Sequence, residues 1–476
     1  MPVTQVPISQ GIRKEIKGGE YIDAIPVNML AVPKNILDAS GYMRSFPGIV
    51  KLSDVSGVSR GVQYNAARST VYRVIGNDIY QNDALLYAGV FDAVSDERVN
   101  MAYSATSQAV AAGGVMHIFR YDGTRKTLTP WPASSGYTVF PVGSVNDITR
   151  NKGRYIWSQN GGQQFGVTDL DDESHPDRAA PYYTADSQPD GIVGVGTWNE
   201  YVLAFGSSSI EYFELTGASG GANIYASQPS LMINYGIAGT HAKCEFMESW
   251  AILTGSANGQ PGVYVLATGS LSKVSTSTID RIIDGYSADQ LKSAILESFR
   301  INGHELLIMH LPNETLCYDA TGSANGPQWC QLQSGLNLGK HRGIDYCFDG
   351  EKITLADSGG GVWGYLDPAI SSQYDEQQEH VLFTPLIKGD NTCMFDLELE
   401  ASTGFTGLID SIQISATTDG VIYGAEQTVG FNRPADYDRR VIKRKLGRVR
   451  RNIGFRLRCI SKSAITLSDM RIRIEI

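Results

Sequence analysis

The chain has 476 residues, a formal charge of −10 and a pI near 5.3, which excludes a uniformly basic coat for nucleic acid. Hydrophobic residues make up 42% of it, enough for a core, and no apolar run reaches the roughly 20 residues of a membrane helix. The six cysteines form no CxxC pair, which disfavours a zinc or thioredoxin site and indicates free thiols in a reducing cytoplasm.

Residues 1–48 are expected to form an extended N-terminal arm. Prolines at positions 2, 7, 26 and 33 disfavour helix and remove backbone donors, so only Lys34 to Ala39 favours a single helical turn. Apolar residues spaced along the arm indicate that it lies along a surface of the protein; these are Ile22, Ile25, Val27, Met29 and Leu30. The arm contains no apolar signal segment, so we expect any export to bypass the general secretory route.

A repeated pattern of short strands follows the arm. Each unit has an apolar run, a turn, an aromatic and β-branched run, a Gly-containing or polar turn, and a third run, as in RYIWSQNGGQQFGVTDL. The units begin near Arg60, Val99, Val145, Ile192, Cys244, Ile295 and Arg342, which are 39 to 52 residues apart. Propeller blades recur at about this period, so we predict a six- or seven-bladed β-propeller over residues 49–370. A string of β-sandwiches is the competing fold, but it needs longer units.

One segment interrupts the strand pattern. Between Thr276 and Ser298 the apolar residues fit a helical period, and Ser287 is a suitable N-cap for a helix that begins at Ala288. We therefore predict a short helix between two blades.

The pattern changes after Pro368. The stretch SSQYDEQQEH indicates a linker or a short helix, and alternating runs such as DSIQISATTDGVIYG and RNIGFRLRCIS follow it. Alternation of apolar and polar residues predicts strands, with Asp419-Gly420 as a hairpin turn. Residues 371–476 are therefore predicted to be an antiparallel β-sandwich, which makes the whole chain all-β.

The motifs for chemistry are weak. An acidic loop (Asp169, Asp171, Asp172, Glu173, then His175) offers oxygen ligands for calcium but lacks the EF-hand spacing, and a solvated loop explains it as well. His304, Glu305 and His310 do not have the HExxH spacing, and they lie in a strand-like run. A P-loop motif is absent from the sequence. We therefore expect no enzyme activity, no catalytic residue, no cofactor and no metal.

The strongest charge signal lies between Arg433 and Arg458. Nine arginines and two lysines face two aspartates, so this stretch carries +9 and the rest of the chain −19. Candidate partner-contact residues are Arg439, Arg440, Lys443, Arg444, Lys445, Arg448, Arg450, Arg451, Arg456 and Arg458. In alternating strands, Arg448, Arg450, Arg456 and Arg458 are expected to line faces of neighbouring strands. Such a surface suits phosphate or an acidic partner subunit, or it protects a strand edge from aggregation.

Several unbroken strings resemble a known family. PVNMLAVPK, RGVQYN, VTDLDDESHPDR, SSIEYFELTG, SSQYDEQQEH and GRVRRNIGFRLR are similar to the packaged-DNA stabilisation protein of short-tailed bacteriophages (podoviruses), also called the tail accessory, hub or nozzle protein. The matching strings extend from the arm to the last strands. The resemblance transfers no catalytic residue and no individual contact residue.

The resemblance implies a structural role in the virion tail, after assembly in the host cytoplasm. It implies a ring of this chain, taken as a hexamer, below the portal and its adaptor protein. The ring would extend and close the DNA channel, pass double-stranded DNA without sequence-specific contact, and attach the tail needle and tailspikes. An alternative from a different class is a propeller-type glycan-binding protein or glycosidase of a phage tail, which repeated Asp boxes or clustered tryptophans would favour. The sequence shows neither feature.

Overall fold

The computed structural model describes residues 3–8, 11–14, 20–34, 39, 41–92, 97–217, 223–255, 259–336 and 339–475. The helical turn predicted between Lys34 and Ala39 falls mostly outside these residues. None of the helices in the described ranges is long and apolar enough to span a membrane. All six cysteines are free thiols, as the sequence predicts.

The first six strands belong to the N-terminal segment and to the rim of the propeller. They are β1 (Val3–Val6), β2 (Gly11–Lys14), β3 (Tyr21–Ala24), β4 (Met29–Val32), β5 (Tyr42–Ser45) and β6 (Gly48–Val55).

The next strands form the blades of the propeller. Blade one contains β7 (Ser59–Asn65), β8 (Thr70–Ile75), β9 (Asp78–Gln81) and β10 (Ala84–Tyr87). Blade two contains β11 (Asn100–Tyr103), β12 (Ser107–Ala112), β13 (Val115–Arg120) and β14 (Arg125–Thr127). Blade three contains β15 (Val145–Asn151), β16 (Arg154–Gln159), β17 (Gln164–Val167) and β18 (Tyr182–Thr184). Blade four contains β19 (Ile192–Trp198), β20 (Tyr201–Gly206), β21 (Ile210–Leu215) and β22 (Tyr225–Ser227).

Two short helices separate blades five and six. Blade five contains β23 (Lys243–Phe246), β24 (Ser249–Leu253), β25 (Val263–Ala267) and β26 (Ser270–Lys273), and the helices are α1 (Ser277–Asp284) and α2 (Ala288–Leu291). Blade six contains β27 (Ile295–Ile301), β28 (His304–His310), β29 (Thr315–Asp319), β30 (Gln328–Ser334) and β31 (Gly339–Lys340). Blade seven contains β32 (Gly343–Phe348), β33 (Ile353–Asp357), β34 (Gly361–Asp367) and, at its outer edge, β6.

The last strands form the sandwich. They are β35 (Gln378–Phe383), β36 (Ile387–Lys388), β37 (Thr392–Ala401), β38 (Asp410–Thr417), β39 (Gln427–Asn432), β40 (Val441–Val449), β41 (Asn452–Ser461) and β42 (Thr466–Glu475). The residues before β35, predicted as a linker or a short helix, form turns and isolated bridges.

The propeller has seven blades within the described residues, which settles the choice between six and seven. Each unit predicted from the sequence begins within one residue of the first strand of a blade. First strands of neighbouring blades contact one another around the axis, including those of blades seven and one, and a hydrophobic cluster joins blades four and five, so the ring is closed. Each repeat has a fourth, outer strand that the three-run pattern did not contain.

Hydrophobic clusters between successive blades hold the ring together. The last cluster joins blade one to blade seven through Ile75, Tyr80, Ala356 and Trp363. The outer strand of blade seven comes from the start of the chain, because β6 pairs antiparallel with β34 from Gly361↔Val55 to Asp367↔Gly48. The propeller therefore closes by pairing segments about 300 residues apart in sequence.

A glycine in blade three allows a tryptophan to fill the space between blades. Trp157 is fully buried on β16, and a Cβ on Gly166 of the paired strand β17 would lie 2.1 Å from its ring. Any side chain at position 166 would displace the ring from the cluster between blades two and three.

The segment predicted to contain one short helix contains two. Thr276 caps α1 with its side chain, and Ser287 forms a capping box with Gln290 at the start of α2. The predicted cap and the start at Ala288 are thus confirmed, and α1 is the element that the prediction omitted. Its apolar side buries Ile279 and Ile283 between blades five and six.

The C-terminal domain is the predicted antiparallel β-sandwich. One sheet has the order β4-β5-β42-β37-β40, with β1 also on β42, and the other has the order β35-β41-β38-β39, with β36 on β41. Alternating side chains from both sheets meet in one core that includes Leu397, Ile414, Phe455 and Met470.

The N-terminal arm completes the sandwich and connects it to the propeller. Strands β1 and β5 pair with β42, and Val27 bridges both Val381 of the sandwich and Gln331 of blade six. The buried side chain of Asn28 donates to the carbonyls of Gln333 and Glu379, at 3.1 and 2.8 Å. The domain boundaries at residues 48 and 370 remain a prediction, although β6 pairs within the propeller and β1, β4 and β5 pair within the sandwich sheet.

Candidate protein interface

The predicted cationic residues lie on two strands of the sandwich and at their ends. Arg439 and Arg440 precede β40, and Lys443, Arg444, Lys445 and Arg448 lie on it. Arg450 and Arg451 form the turn after β40, and Arg456 and Arg458 lie on β41.

The expectation that Arg448, Arg450, Arg456 and Arg458 line neighbouring strands is wrong. Strands β40 and β41 belong to opposite sheets, because the turn at Arg450 and Arg451 carries the chain from one sheet to the other. The basic stretch is therefore divided between two surfaces, which do not share a face.

One part of the basic stretch is neutralised within the chain. Arg440 binds Glu398 through two hydrogen bonds of 2.7 and 2.9 Å, and Arg456 and Arg458 both bind Glu426. The hydrogen bond from Arg458 lowers the pKa of Glu426, and that from Arg440 lowers the pKa of Glu398. Arg439 is paired in the same way, with Asp436 at 3.2 Å. These cations are held by their own carboxylates, so they are poor candidates for partner contact.

The other part has no counter-charge. Within the described residues, Arg444, Lys445, Arg450 and Arg451 are exposed and have no carboxylate partner, and Arg448 only donates to the carbonyl of Asn391 at 3.1 Å. We call these five residues the basic edge. Their mutual repulsion remains uncompensated in the isolated chain, so the approach of an acidic surface would be favourable.

Strand β40 lies at the edge of its sheet, and its shape opposes the addition of a further strand. Lys443 points into the sandwich, where burial lowers its pKa, and β40 carries a bulge at which Lys445 has φ +64°. An inward lysine and a bulge are features that protect edges against strand pairing. A partner at this edge would thus bind through side chains rather than through backbone hydrogen bonds.

The acidic loop is neutralised by nearby cations. Asp172 contacts Lys126 at 3.1 Å, and Asp169 and Asp171 contact Arg178 at 3.2 and 3.1 Å. Burial opposes ionisation of Asp172, but hydrogen bonds from Ser174 and Lys126 lower its pKa to about 2. No group of three metal-ligating side chains occurs in the ranges that the structure covers.

The remaining motifs have structural explanations. His304 and His310 are at opposite ends of β28, where they bind Asp319 and Glu297 at 2.6 and 3.2 Å. Asp419 accepts hydrogen bonds from the next backbone amides in a loop between Thr417 and Tyr423, so this turn is longer than the predicted tight hairpin.

A network of ion pairs across the propeller axis was not predicted. Arg98, just before blade two, binds Asp345 of blade seven and lies 3.7 Å from Glu297 of blade six. Lys243 of blade five binds Asp147 of blade three at 2.9 Å. The charges belong to isolated residues in separate repeats, so no local motif in the sequence could have indicated that they meet.

Sequence reasoning also missed a groove between the first turns of blades four, five and six. It measures about 400 Å³, and Trp198 and Trp250 are among the residues that line it. Glu245 and Glu248 lie at its rim, and Met247 projects with half of its surface exposed. We call this site the acidic groove. Its turn, Met247-Glu248, has positive φ at both residues although neither is glycine, so no usual turn residue marks it in the sequence.

Comparisons with known proteins match nearly the whole chain to one family. Residues 4–371 match the family model described as "Bacteriophage P22 Gp10, beta-propeller", and residues 379–475 match "Bacteriophage P22 Gp10, beta-sandwich". The chain is 51% identical over 476 residues to the tail hub protein gp10 of Salmonella phage P22, and the match covers 100% of both chains.

Solved structures are more distant. The extracellular domain of the putative hybrid two-component system BT4673 from B. thetaiotaomicron is 12% identical, with a TM-score of 0.43, over 74% of this chain and 43% of that one. The Pan2 WD40 domain of Neurospora crassa is 8% identical, with a TM-score of 0.40, over 67% of this chain and 95% of that one. At these TM-scores neither structure adds to what the sheets themselves show.

Proposed function

Because the chain belongs to the bacteriophage P22 Gp10 family of tail hub and DNA-stabilisation proteins, we propose that six copies form a ring below the portal and its adaptor protein. As a member of this podovirus family it is a structural component of the phage tail and not an enzyme. The observation that carries the proposal is the match to a tail hub protein over the full length of both chains. Assembly would take place in the host cytoplasm.

The proposed ring extends and closes the DNA channel, with DNA on the axis of the ring rather than on the axis of each propeller. Across the propeller axis, Arg98 forms an ion pair with Asp345 and Lys243 forms one with Asp147 at 2.9 Å. The major groove of DNA alone is about 12 Å wide, so a duplex cannot follow this path.

The acidic charge of the chain supports transit of DNA rather than retention by the wall. Outside the basic stretch the chain carries −19, and phosphate is repelled by such a surface. Contact with double-stranded DNA would accordingly be independent of its sequence.

The propeller supports the attachment of several partners, because loops project from both faces of a rigid disc. We assign the portal adaptor, the tail needle and the tailspikes to such loops. The basic edge, in contrast, is assigned to contact between protein subunits, since its cations have no counter-charge within the described chain.

Sedimentation of the purified protein with and without the portal–adaptor complex tests this function. We expect a ring-sized species that requires the complex, and electron microscopy should show a central channel in it. A protein that stays monomeric and leaves the complex unchanged would contradict the proposal. Turnover of host polysaccharide would favour the glycosidase alternative.

A further inference from the structure

A closed ring of identical chains requires two complementary surfaces on each copy. Unless the contact is two-fold symmetric, one patch must meet a different patch on the next copy. The basic edge supplies a cationic patch with no counter-charge of its own. Its counterpart should be an anionic surface on the same chain whose carboxylates are likewise unpaired.

The acidic groove has this property. Arg300 and Glu305 neutralise each other at 2.5 Å, but the carboxylates of Glu245 and Glu248 have no cation within ion-pair distance in the described chain. Carboxylates elsewhere on the propeller surface are commonly paired, as Glu200 is with Lys152 at 2.7 Å. Burial raises the pKa of Glu245 and Lys243 opposes that rise, so the exposed Glu248 is the carboxylate that the groove leaves most open to a partner.

The backbone of the groove is held in place before any partner binds. Trp198 donates to the carbonyl of Glu248 at 2.8 Å, and Trp250 donates to the carbonyl of Thr197 at 3.0 Å. These bonds fix a turn in which Met247 and Glu248 have φ of +51° and +59°. Positive φ at both residues is the type I′ geometry of a two-residue hairpin turn, so the pairing of β23 with β24 also holds this turn in place.

The floor of the groove suits a long cationic side chain. Its volume of about 400 Å³ equals that of roughly a dozen water molecules. Lys243 already lies over the ring of Trp250, at 5.0 Å from its centroid, so Trp198 is the indole left to attract a guanidinium group. Carboxylates beside that indole would add ionic hydrogen bonds to a bound arginine. Arginine is therefore the side chain that this chemistry favours.

We propose that the basic edge of one copy docks in the acidic groove of the next copy, with Arg450 and Arg451 facing Glu245 and Glu248. This pairing rests on the proposed ring and specifies which surfaces form it. Because the two patches differ, the contact is head-to-tail and propagates around the ring in one direction.

The test uses two full-length variants. The edge variant carries Arg450→Glu and Arg451→Glu, and the groove variant carries Glu245→Lys and Glu248→Lys. Each variant alone should reduce ring formation on the portal–adaptor complex by at least about tenfold, equivalent to about 1.4 kcal/mol. An equimolar mixture should restore the ring, because each reversed edge meets a reversed groove and each native edge meets a native groove in alternation.

Controls separate this contact from general effects of charge. Asp289→Lys with Lys292→Glu exchanges an exposed pair on α2 and should leave ring formation unchanged. Circular dichroism melting checks that every variant is folded. If a reversed variant does not fold, the neutral changes Arg450→Gln with Arg451→Gln should weaken the ring and reduce its sensitivity to salt.

The outcomes distinguish the pairing from the function. The pairing would be overturned if either variant alone formed rings, or if the mixture assembled no better than its components. In both cases a ring formed by the native protein would still support the proposed function. A native protein that forms no ring on the complex would overturn both. Restoration by the mixture alone supports the head-to-tail contact.

Discussion

Replacement of Asn28 by alanine should destabilise the whole chain, because this side chain joins three segments. Its amide donates to the carbonyls of Gln333 in blade six and Glu379 in the sandwich, and its oxygen accepts from the amide of Gln333 at 2.9 Å. The backbone carbonyl of Asn28 also accepts a hydrogen bond from His380 at 3.1 Å. The arm, the propeller and the sandwich thus meet at one buried residue.

The size of the effect follows from two terms. Alanine leaves the buried amide of Gln333 without a partner, and an unsatisfied buried group costs about 1–3 kcal/mol. Asn28 has φ +54°, a conformation that costs alanine roughly 1–2 kcal/mol. We therefore expect Asn28→Ala to lower the free energy of unfolding by about 2–5 kcal/mol. Asn28→Gly removes the same side chain without the backbone term and should be less severe by about 1 kcal/mol.

Urea unfolding followed by tryptophan fluorescence measures this difference. The control is Asn302→Ala, in the exposed turn between β27 and β28, where φ is +50° and only the backbone cost of alanine should appear. We also expect Asn28→Ala to separate the unfolding of the propeller from that of the sandwich, producing two transitions. Equal destabilisation by Asn28→Ala and Asn302→Ala would refute the idea that Asn28 couples the domains.

Three further predictions concern charge. Reversal of the charges of Arg448, Arg450 and Arg451 together should block tail assembly, which complementation and electron microscopy would measure. Particles that assemble normally and differ only in DNA retention would refute the assignment of these residues to protein contact. Arg98→Met should lower the free energy of unfolding by about 3–5 kcal/mol, because it leaves buried carboxylates unpaired. A loss below about 1 kcal/mol, measured by urea unfolding, would show that the ion pairs on the propeller axis do not stabilise the fold. Asp172 has a folded-state pKa of about 2, below its unfolded value of about 3.9, so its stabilisation is present above pH 4 and lost as the pH falls towards 2. The difference in free energy of unfolding between the native protein and Asp172→Asn should therefore vanish as the pH falls from about 4 to about 2. A difference that does not change with pH would contradict this prediction.

The propeller could be predicted because its inner strands carry a strong local pattern. The predicted starts at Val145, Ile192 and Ile295 coincide with the first residues of β15, β19 and β27. Some of the fourth strands were missed because they are short and polar, as is Arg125–Thr127 of blade two. A three-residue polar segment has no periodicity that distinguishes it from a loop.

The candidate interface was predicted less well, because pairing between distant segments leaves no local trace. The density of arginine near the C-terminus identified the cations, but only the fold shows that Glu426 neutralises Arg456 and Arg458 while Arg450 and Arg451 remain unpaired. The acidic groove combines residues from three blades, so the sequence alone does not show that Glu245 and Glu248 lie beside Trp198 and Arg300.

Pairing between the two ends of the chain makes both domains depend on complete synthesis. The rim strand of blade seven, Gly48–Val55, precedes every other blade strand, and Val3–Val6 pairs with the last strand of the sandwich. Contacts of such long separation in sequence form late, since closing the loop between them costs entropy before any contact compensates for it. A chain that lacks its final strand would leave the arm strands β1 and β5 without their partner β42 and expose a sheet edge. The surfaces proposed for ring assembly would accordingly be correctly placed only in full-length, folded subunits, which restricts assembly of the tail to complete copies.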